Sequence, residues 1–371
     1  MKILIVEPYF TGSHASWAKG YQKHSRHDIE ILSLPGQFWK WRMHGGAITM
    51  ADKFLGSNVS PDLILATDML DLTTFLALTR DKTYGIPSAI YFHENQLCYP
   101  WSPEDRDVQQ NRDKHYGFIN YTSALCADAV FFNTGFQRDS LLTELTRMLK
   151  HFPDFRGMKN IHKIKAKSQV LHLGLDLKRF DQYKLEKRNE LPLILWNHRW
   201  EFDKNPADFF NALYVMADKG LDFEVAVLGE NFSNNPAEFD EARKKLGKRI
   251  VHFGYADSFE EYARWLWKAD IVPVTSNQDF FGASAVEAVY CGCYPLLPNR
   301  LAFPEVMRYE NNPAYFYDSF EQLVGKLEVM LGEKKYLDRE NLSLAVEKYS
   351  WEKMIIQYDK IFEEVVTFKT R

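Results

Sequence analysis

The sequence predicts an α/β protein built from two doubly wound domains that face each other across a cleft. Short apolar runs rich in β-branched and aromatic residues alternate with longer segments of helical periodicity, and this alternation occurs twice along the chain. The chain has 371 residues, of which 46% are hydrophobic, so it is long enough to bury two separate cores. Both observations favour parallel sheets with helical crossovers.

The apolar runs fall into two series. The first series predicts strands at KILIVEPY, DIEILSL, LILAT, SAIYFHE, AVFFNT and SQVLHLG, and the second at LPLILWNHRW, FEVAVLGE, RIVHFGY, IVPVTS and YPLLPN. A charged stretch that ends at Leu191 and Pro192 separates them. We therefore predict an N-terminal domain at 1–186, a C-terminal domain at 187–350, and a final helix at 351–371 that packs back on the N-terminal domain.

Composition indicates an ordinary cytoplasmic protein. The 46 basic and 50 acidic residues give a net charge of -4, so no global field attracts nucleic acid, although a local basic face is compatible with this balance. The four cysteines lack C-x-x-C spacing, which suits reduced thiols. The opening MKILIVEPY is too short for a signal sequence and no apolar run reaches membrane-spanning length. We expect no membrane segment and no obligate protein partner.

Residues that follow the strands of an open α/β sheet are the first candidates for ligand binding. Gly12 and Ser13 follow the first strand, where small residues let a backbone N–H approach an anion, although a plain turn explains them equally well. His93, Glu94 and Asn95 follow the fourth strand and make a very polar strand end, which a solvated loop would also explain.

Two cations follow the first strand of the second series. Arg199 and Lys204 are close enough in sequence to turn toward one polyanion, Arg as a planar fork and Lys as a point charge. Without further context, a pair of surface cations would be the simpler explanation.

The context comes from the stretch DFFGASAVE, which runs from Asp279 to Glu287. A helix that starts near Gly282 presents free N–H groups, and the small residues there leave its terminus open for a phosphate. Glu287, one turn further, is placed to accept hydrogen bonds from a diol such as a ribose. Asp279 has two explanations that the sequence leaves open: a helix cap or a contact with a sugar.

Taken together, Arg199, Lys204 and the acidic-x7-Glu segment resemble the donor site of retaining GT-B glycosyltransferases. In that class the Arg and Lys hold a nucleotide diphosphate and the last Glu binds the ribose. Two positions depart from the usual pattern: His198 stands where Gly is common, and Asp279 stands where Glu is common.

A more specific resemblance covers most of the chain. Several blocks, in the same order, resemble the tRNA-queuosine mannosyltransferases: GSH at 12–14, FWKWR at 38–42, YFHENQLCYP at 91–100, FFN at 131–133 and EAVYCGCYPLLP at 287–298. The resemblance implies two Rossmann-like domains. It also implies transfer of mannose, with retention of configuration, from GDP-mannose to the cyclopentene diol of queuosine in the anticodon of aspartate tRNA.

The resemblance assigns roles to the candidate residues. The catalytic residues would be His93, Arg199, Lys204 and Asp279, and the donor-binding residues would be Gly12, Ser13, Gly229, Tyr255, Phe281, Gly282, Ala283 and Glu287. Because the cations and the helix terminus stabilise the leaving diphosphate, neither a cofactor nor a metal ion is required. Two alternatives remain: a GT-B enzyme with a glycan or small-molecule acceptor, and a non-catalytic binder of sugar nucleotide or RNA.

An RNA acceptor needs a surface that binds phosphate. Residues 147–188 contain twelve Lys or Arg against four acidic residues, and among them Lys163, Lys165 and Lys167 are the candidate contacts. A solvated basic linker is the alternative. Trp39, Trp41 and Arg42 interleave aromatic and cationic groups that suit an unpaired base, or pack as an ordinary aromatic edge. Glu94 and Asn95 are the remaining acceptor-side candidates.

Overall fold

The computed structural model describes residues 1–101, 105, 107, 114–186, 189–229, 236–332 and 341–369. The chain divides into two compact units. Unit 1 consists of Met1–Leu175 together with Trp351–Arg371, and unit 2 consists of Asp176–Ser350. Each unit is an α/β unit with its own parallel sheet, which confirms the predicted fold class.

The sheet of unit 1 has six parallel strands in the order β2-β1-β3-β4-β5-β6. Its middle strands are buried on both faces, as expected where helices cover a parallel sheet on both sides. The strand bounds are β1 Lys2–Phe10, β2 Asp28–Pro35, β3 Leu63–Thr67, β4 Ser88–Phe92, β5 Ala129–Phe132 and β6 Ser168–Val170.

Helices of unit 1 connect successive strands, as right-handed crossovers of a parallel sheet require. They are α1 Gly12–His24, α2 Trp39–Leu55, α3 Leu72–Leu78, α4 Arg80–Thr83, α5 Lys114–Cys126, α6 Gly135–Lys150, α7 Lys159–Ala166 and, at the end of the chain, α15 Trp351–Lys369.

The C-terminal helix α15 packs on the N-terminal sheet. The hydroxyl of Tyr358 accepts a hydrogen bond of 3.0 Å from Nε1 of Trp17 and donates one of 2.9 Å to the carbonyl of His172. The ring of Trp351 fills the space left by Gly20 and Gly174, because a Cβ at either glycine would lie within 2.6 Å of it. Helix α15 is therefore an integral part of unit 1.

The sheet of unit 2 also has six parallel strands, in the order β12-β11-β10-β7-β8-β9. Read from β9, this is the strand order of the Rossmann fold, and the order reverses between β7 and β10. The bounds are β7 Leu193–Asn197, β8 Glu224–Leu228, β9 Ile250–Gly254, β10 Ile271–Pro273, β11 Tyr294–Pro298 and β12 Phe316–Tyr317. The sequence did not predict the short edge strand β12.

Helices of unit 2 cover its sheet. They are α8 Pro206–Asp218, α9 Ala237–Leu246, α10 Phe259–Lys268, α11 Ala283–Tyr290, α12 Phe303–Val306, α13 Phe320–Gly332 and α14 Leu342–Val346. Short 3₁₀ helices lie at Leu177–Tyr183, Phe202–Lys204, Gly247–Arg249, Pro313–Tyr315 and Glu347–Tyr349. No helix among the described residues is long and apolar enough to cross a bilayer.

The division between the units lies before the predicted boundary at residue 186. Phe180 is buried and its ring centroid lies 4.9 Å from that of Phe259. The carbonyl of Phe180 also accepts a hydrogen bond of 2.8 Å from Nε1 of Trp267. Unit 2 therefore begins before the charged stretch. The segment that holds Phe180 precedes this stretch in the sequence and already packs on Phe259 and Trp267 of unit 2. Residues 187 and 188 lie outside the described residues.

Candidate active site

The strand ends at the switch point of unit 2 hold a buried ion cluster. Lys204 follows β7, and its Nζ lies 3.2 Å from Oδ2 of both Asp203 and Asp279 and donates a hydrogen bond of 2.9 Å to the carbonyl of Gln278. Burial by itself lowers the pKa of Lys204, but Asp279 and Asp203 outweigh it and raise that pKa. The side chain is 11% exposed, so a buried ammonium is held at the edge of the sheet.

Arg199 lies in the same strand-end loop with a different environment. Its guanidinium is 50% exposed and forms an ion pair of 3.1 Å with Oε2 of Glu201. The loop turns locally at this point, where the backbone N–H of Glu201 donates a hydrogen bond of 2.9 Å to the carbonyl of Arg199. Arg199 is therefore the accessible cation of the site, while Lys204 is the fixed one.

His198 replaces the glycine that is common before this Arg, and the structure shows what it contacts. Its Nδ1 lies 3.0 Å from Oγ of Ser284, in the first turn of α11. Burial, and then the positive charge of Lys204, lower the pKa of His198 to about 4, so the ring is neutral at physiological pH. Asn197 adds a second link, donating a hydrogen bond of 2.8 Å to the carbonyl of Ser284. The end of β7 is thus tied to the start of α11.

Helix α11 begins without a side-chain cap. Gly282 precedes it as the N-cap with φ 82°, and among the described residues this position provides no side-chain hydrogen bond to the first N–H groups. Asp279 is therefore not the helix cap, because its carboxylate instead forms the ion pair with Lys204. The N–H groups of the first turn are the anion-binding end that the sequence predicts.

Gly282 is required by packing as well as by conformation. A Cβ at this position would lie 2.6 Å from the ring of Phe303, so a neighbouring side chain occupies that space rather than a ligand. Phe281 is also buried and its ring centroid lies 5.1 Å from that of Tyr349. The side chain of Phe281 therefore belongs to the core of unit 2, while the predicted donor contacts of Phe281 and Gly282 stay predictions.

Glu287 accepts a hydrogen bond of 2.7 Å from the hydroxyl of Tyr262. Burial raises the pKa of Glu287 to about 7, and the hydrogen bond from Tyr262 opposes that rise. The carboxyl group therefore changes its charge near neutral pH. The sequence did not predict a site role for Tyr262, because this residue lies inside helix α10. Only the fold brings it next to Glu287 in α11.

A cavity of about 350 Å³ opens beside Tyr262. Gly229 and Tyr255, two of the predicted donor-binding residues, both line it. Gly229 has φ 142°, and a Cβ there would lie 2.1 Å from the carbonyl oxygen of His198, so only glycine allows β7 and β8 to end this close together. The remaining lining residues are Asn197, Leu228, Ala256, Asp257, Ser258, Phe259 and Tyr262.

Unit 1 carries a second polar cluster at the carboxyl edge of its sheet. Glu7 lies in β1, Asp68 directly follows β3 and His93 directly follows β4, and all three are buried. Nδ1 of His14, in the first turn of α1, lies 2.8 Å from Oε2 of Glu7. Asp68 accepts a hydrogen bond of 2.8 Å from the backbone N–H of His93. Since β1 and β3 are neighbours, this cluster occupies the switch point of unit 1.

The two histidines of this cluster differ in charge. Burial by itself lowers the pKa of His14, but Glu7, helped by Asp68 and Glu94, raises it to about 9. Burial, and then the charge of His14, lower the pKa of His93 well below its usual value. The ring centroids are 4.3 Å apart, so a charged His14 keeps His93 neutral. Neither ring nitrogen of His93 has a hydrogen-bond partner among the described residues, which leaves both for a ligand.

Glu7, His14 and His93 also offer donor atoms within 4.8 Å of one another, a set from which a metal ion could be held. Glu7 and His14 already form a hydrogen-bonded ion pair with each other, so the positions of these two side chains are explained without a metal ion. The expectation that the reaction needs no metal stays a prediction.

Of the other candidate residues after the strands of unit 1, some are exposed to solvent and some are buried in contacts that shape a loop. Gly12 and Ser13 are exposed at the start of α1, and nothing lies within 4 Å of where a Cβ of Gly12 would be. Asn95 is buried, and its Oδ1 accepts a hydrogen bond of 3.0 Å from the N–H of Cys98. Glu94 is partly exposed and accepts a hydrogen bond of 2.8 Å from Nε2 of Gln96. Asn95 therefore shapes the loop, whereas Glu94 is open to a ligand.

The predicted RNA contacts also separate. Lys163 and Lys165 are exposed on α7. Lys167 is partly buried, and its amine donates hydrogen bonds to the carbonyls of Leu125 and Ala127. These carbonyls lie at the C-terminal end of α5, so the amine caps that helix end. The predicted phosphate contact at Lys167 is not supported. The predicted basic residues Lys187 and Arg188 lie outside the described residues.

The aromatic candidates separate in the same way. Trp39 is partly buried and packs on Trp101 and Tyr116, with ring centroids 5.6 and 5.2 Å away. Arg42 is partly exposed, with its Nε 3.2 Å from the carbonyl of Pro35. Trp41 is 64% exposed, so of the two tryptophans only Trp41 offers an open ring.

Comparison with solved structures identifies the class. The sucrose-phosphate synthase of Thermosynechococcus elongatus matches with a TM-score of 0.69 at 13% identity, covering 99% of each chain. A glycosyltransferase from Rickettsia africae matches with a TM-score of 0.66 at 17% identity, covering 98% of each chain. The fold is that of the GT-B glycosyltransferases.

Two further comparisons identify the family. The family described as tRNA-queuosine alpha-mannosyltransferase N-terminal matches residues 2–175. The tRNA-queuosine alpha-mannosyltransferase of Drosophila melanogaster is 36% identical over 334 residues, which cover 88% of this chain and 85% of that protein. The chain belongs to the tRNA-queuosine alpha-mannosyltransferase family and is a glycosyltransferase, which confirms the resemblance found in the sequence.

Proposed function

We propose that this enzyme transfers mannose from GDP-mannose to the cyclopentene diol of queuosine in the anticodon of aspartate tRNA, with retention of configuration. The observation that carries the proposal is the 36% identity to the Drosophila enzyme over 88% of the chain. In the reaction the bond between the sugar and the β-phosphate breaks, a diol oxygen bonds to the sugar carbon, and GDP and a proton leave.

The donor half of the proposal is supported by the charges of unit 2. A nucleotide diphosphate gains negative charge as the sugar departs, and Arg199, Lys204 and the N–H groups at the start of α11 provide positive charge that is fixed before the reaction begins. Such preorganised electrostatics usually contributes most to catalysis. The cavity beside Tyr262 has room for a base, and Glu287 offers an acceptor for the ribose hydroxyls.

The role we propose for His93 is that of a neutral hydrogen-bond partner of the substrate, because burial, and then the adjacent charged His14, lower its pKa. We assign to Asp279 the task of fixing Lys204, with a sugar contact as a secondary role. No protein partner, cofactor or metal ion enters this scheme.

Release of GDP from GDP-mannose in the presence of queuosine-containing aspartate tRNA tests the function. We expect release with that tRNA and none with the same tRNA carrying guanosine in place of queuosine. Release that depends instead on a glycan or a small-molecule acceptor would support the alternative GT-B enzyme. Binding of GDP-mannose without release under any of these conditions would support a non-catalytic binder.

The affinity for GDP-mannose should depend on pH through Glu287. Because burial raises the pKa of this carboxyl to about 7, lowering the pH below 7 protonates it and removes an acceptor for the ribose hydroxyls. We expect the affinity to rise by up to about tenfold between pH 6 and pH 8, as linkage predicts for a ligand that binds the ionised form. Isothermal titration calorimetry measures this directly, since the diphosphate of a sugar nucleotide does not titrate in this range.

Two variants serve as controls for the pH dependence. Glu287→Gln should remove it and weaken binding at pH 8. Tyr262→Phe removes the hydrogen bond that lowers the pKa of Glu287, so the midpoint should move to higher pH. A pH dependence that persists in Glu287→Gln would refute the ribose role of this residue.

A further inference from the structure

Residues 147–165 form a strongly basic surface at the end of α6, in the loop that follows and on α7; we call it the basic loop surface. It contains six Lys or Arg and one acidic residue, and the side chains of all seven are exposed. These residues are Arg147, Lys150, Arg156, Lys159, Lys163, Lys165 and Asp154. A surface of this charge balance attracts a polyanion.

One aromatic side chain in the middle of this surface is almost fully exposed to solvent. Phe155 is 99% exposed and has φ 39°, in the left-handed region that bulky residues avoid. The loop around it is fixed: Nε of Arg156 donates a hydrogen bond of 2.8 Å to the carbonyl of Phe152, and the N–H of Asn160 donates one of 2.8 Å to the carbonyl of Gly157. Phe155 thus has an unfavourable backbone conformation and a solvent-exposed ring, and neither stabilises the fold. Such a combination indicates a role in binding.

Neighbouring contacts place this loop toward the carboxyl edge of the sheet. The ring of Phe152 lies 5.9 Å from that of Phe118, in the second turn of α5. Helix α5 connects the carboxyl end of β4 to the amino end of β5, and Asp128 just beyond it is hydrogen-bonded to Ser88 at the start of β4. The first turns of α5 are thus nearer the edge where β4 ends.

We propose that the basic loop surface binds the single-stranded loop of the RNA acceptor, with its cations on the phosphates and Phe155 stacked on an unpaired base. Single-stranded RNA is typically recognised by aromatic rings beside a positive surface, and Phe155 between Asp154 and Arg156 supplies such a ring. The proposal rests on the proposed function, which supplies an RNA acceptor. The proposal adds Phe155 as a stacking residue, which the composition of the basic segment did not indicate. Lys167 is not among the proposed RNA contacts.

Binding of queuosine-containing aspartate tRNA tests the proposal when measured by filter binding at several salt concentrations. Phe155→Ala should weaken binding about tenfold or more, since one base stacked on an aromatic ring contributes that much. Its salt dependence should stay unchanged, because no charge is lost. The double variant Lys163→Ala/Lys165→Ala should instead flatten the salt dependence, since each lost phosphate contact lowers the slope by about one.

The matched control is Tyr84→Ala. Tyr84 is 90% exposed and lies just before β4, at the opposite edge of the sheet, so its removal should leave tRNA binding unchanged. Phe155→Gly separates binding from folding: glycine suits the left-handed backbone, so this variant should unfold at the same temperature or higher while it still binds tRNA weakly.

The possible outcomes separate this proposal from the proposed function. If the unaltered enzyme transfers mannose to tRNA and both Phe155 variants bind tRNA as it does, the stacking role is wrong. If the lysine double variant also keeps the salt dependence, the basic loop surface serves another partner, such as an acidic protein. If the unaltered enzyme neither binds nor modifies any tRNA, the proposed function itself fails.

Discussion

Replacing Lys204 with alanine is expected to lower both the rate of transfer and the stability of the fold. The rate should fall by about 10²–10³, or roughly 2–4 kcal/mol of transition-state stabilisation, because a fixed charge beside the diphosphate is lost. Stability should fall by about 3–5 kcal/mol, because the buried carboxylate of Asp203 and the partly buried one of Asp279 lose their shared cation. Steady-state kinetics and urea unfolding measure the two effects.

A surface lysine of the same unit provides the control for Lys204. Lys219 forms an ion pair with Glu328 at 2.5 Å, and both side chains are well exposed. Lys219→Ala should change stability by less than about 1 kcal/mol and leave transfer intact, as is usual for exposed pairs. Near-normal turnover by a folded Lys204→Ala enzyme would contradict the role of this residue.

Replacing Arg199 with alanine should reduce transfer by a similar factor, about 10²–10³, through the loss of the accessible cation. Stability should change by less than about 1 kcal/mol, because the side chain of Arg199 is 50% exposed and that of its partner Glu201 is 29% exposed. Turnover under saturating GDP-mannose, combined with thermal unfolding, distinguishes this catalytic loss from misfolding.

Two substitutions sharpen the prediction for Arg199. Arg264→Ala removes an equally exposed arginine that pairs with Glu260 on the surface of α10, and it should leave turnover unchanged. Arg199→Lys should recover only part of the activity, since an ammonium keeps the charge but not the planar fork that fits a phosphate. Full activity of Arg199→Ala would show that Lys204 and the helix terminus are sufficient.

The two cations therefore act in different ways, although the sequence presents them as a simple pair. Lys204 lies between the carboxylates of Asp203 and Asp279 and is 11% exposed, whereas the side chain of Arg199 is 50% exposed. Asp279 lies 3.2 Å from Lys204, and holding this lysine is the first role that we propose for it.

The sequence by itself determined the periodic alternation of strands and helices, and with it the fold class and the strand ends where ligands bind. Local patterns suffice for this, because side-chain periodicity and the chemistry after each strand are properties of short segments. The cations at 199 and 204, the helix start near Gly282 and the acid Glu287 all follow from such segments. The matched sequence blocks also identified the family.

Only the tertiary structure decided which of these residues contact one another. Tyr262 reaches Glu287 from another helix, and His14, Asp68 and His93 meet from separate segments. The environment of each side chain also depends on the fold. Burial lowers the pKa of His93, Lys167 donates a hydrogen bond to the carbonyl of Leu125 in α5, and the ring of Phe155 lies in solvent. Burial, pKa and partner choice depend on residues distant in sequence, so no pattern within one segment contains them.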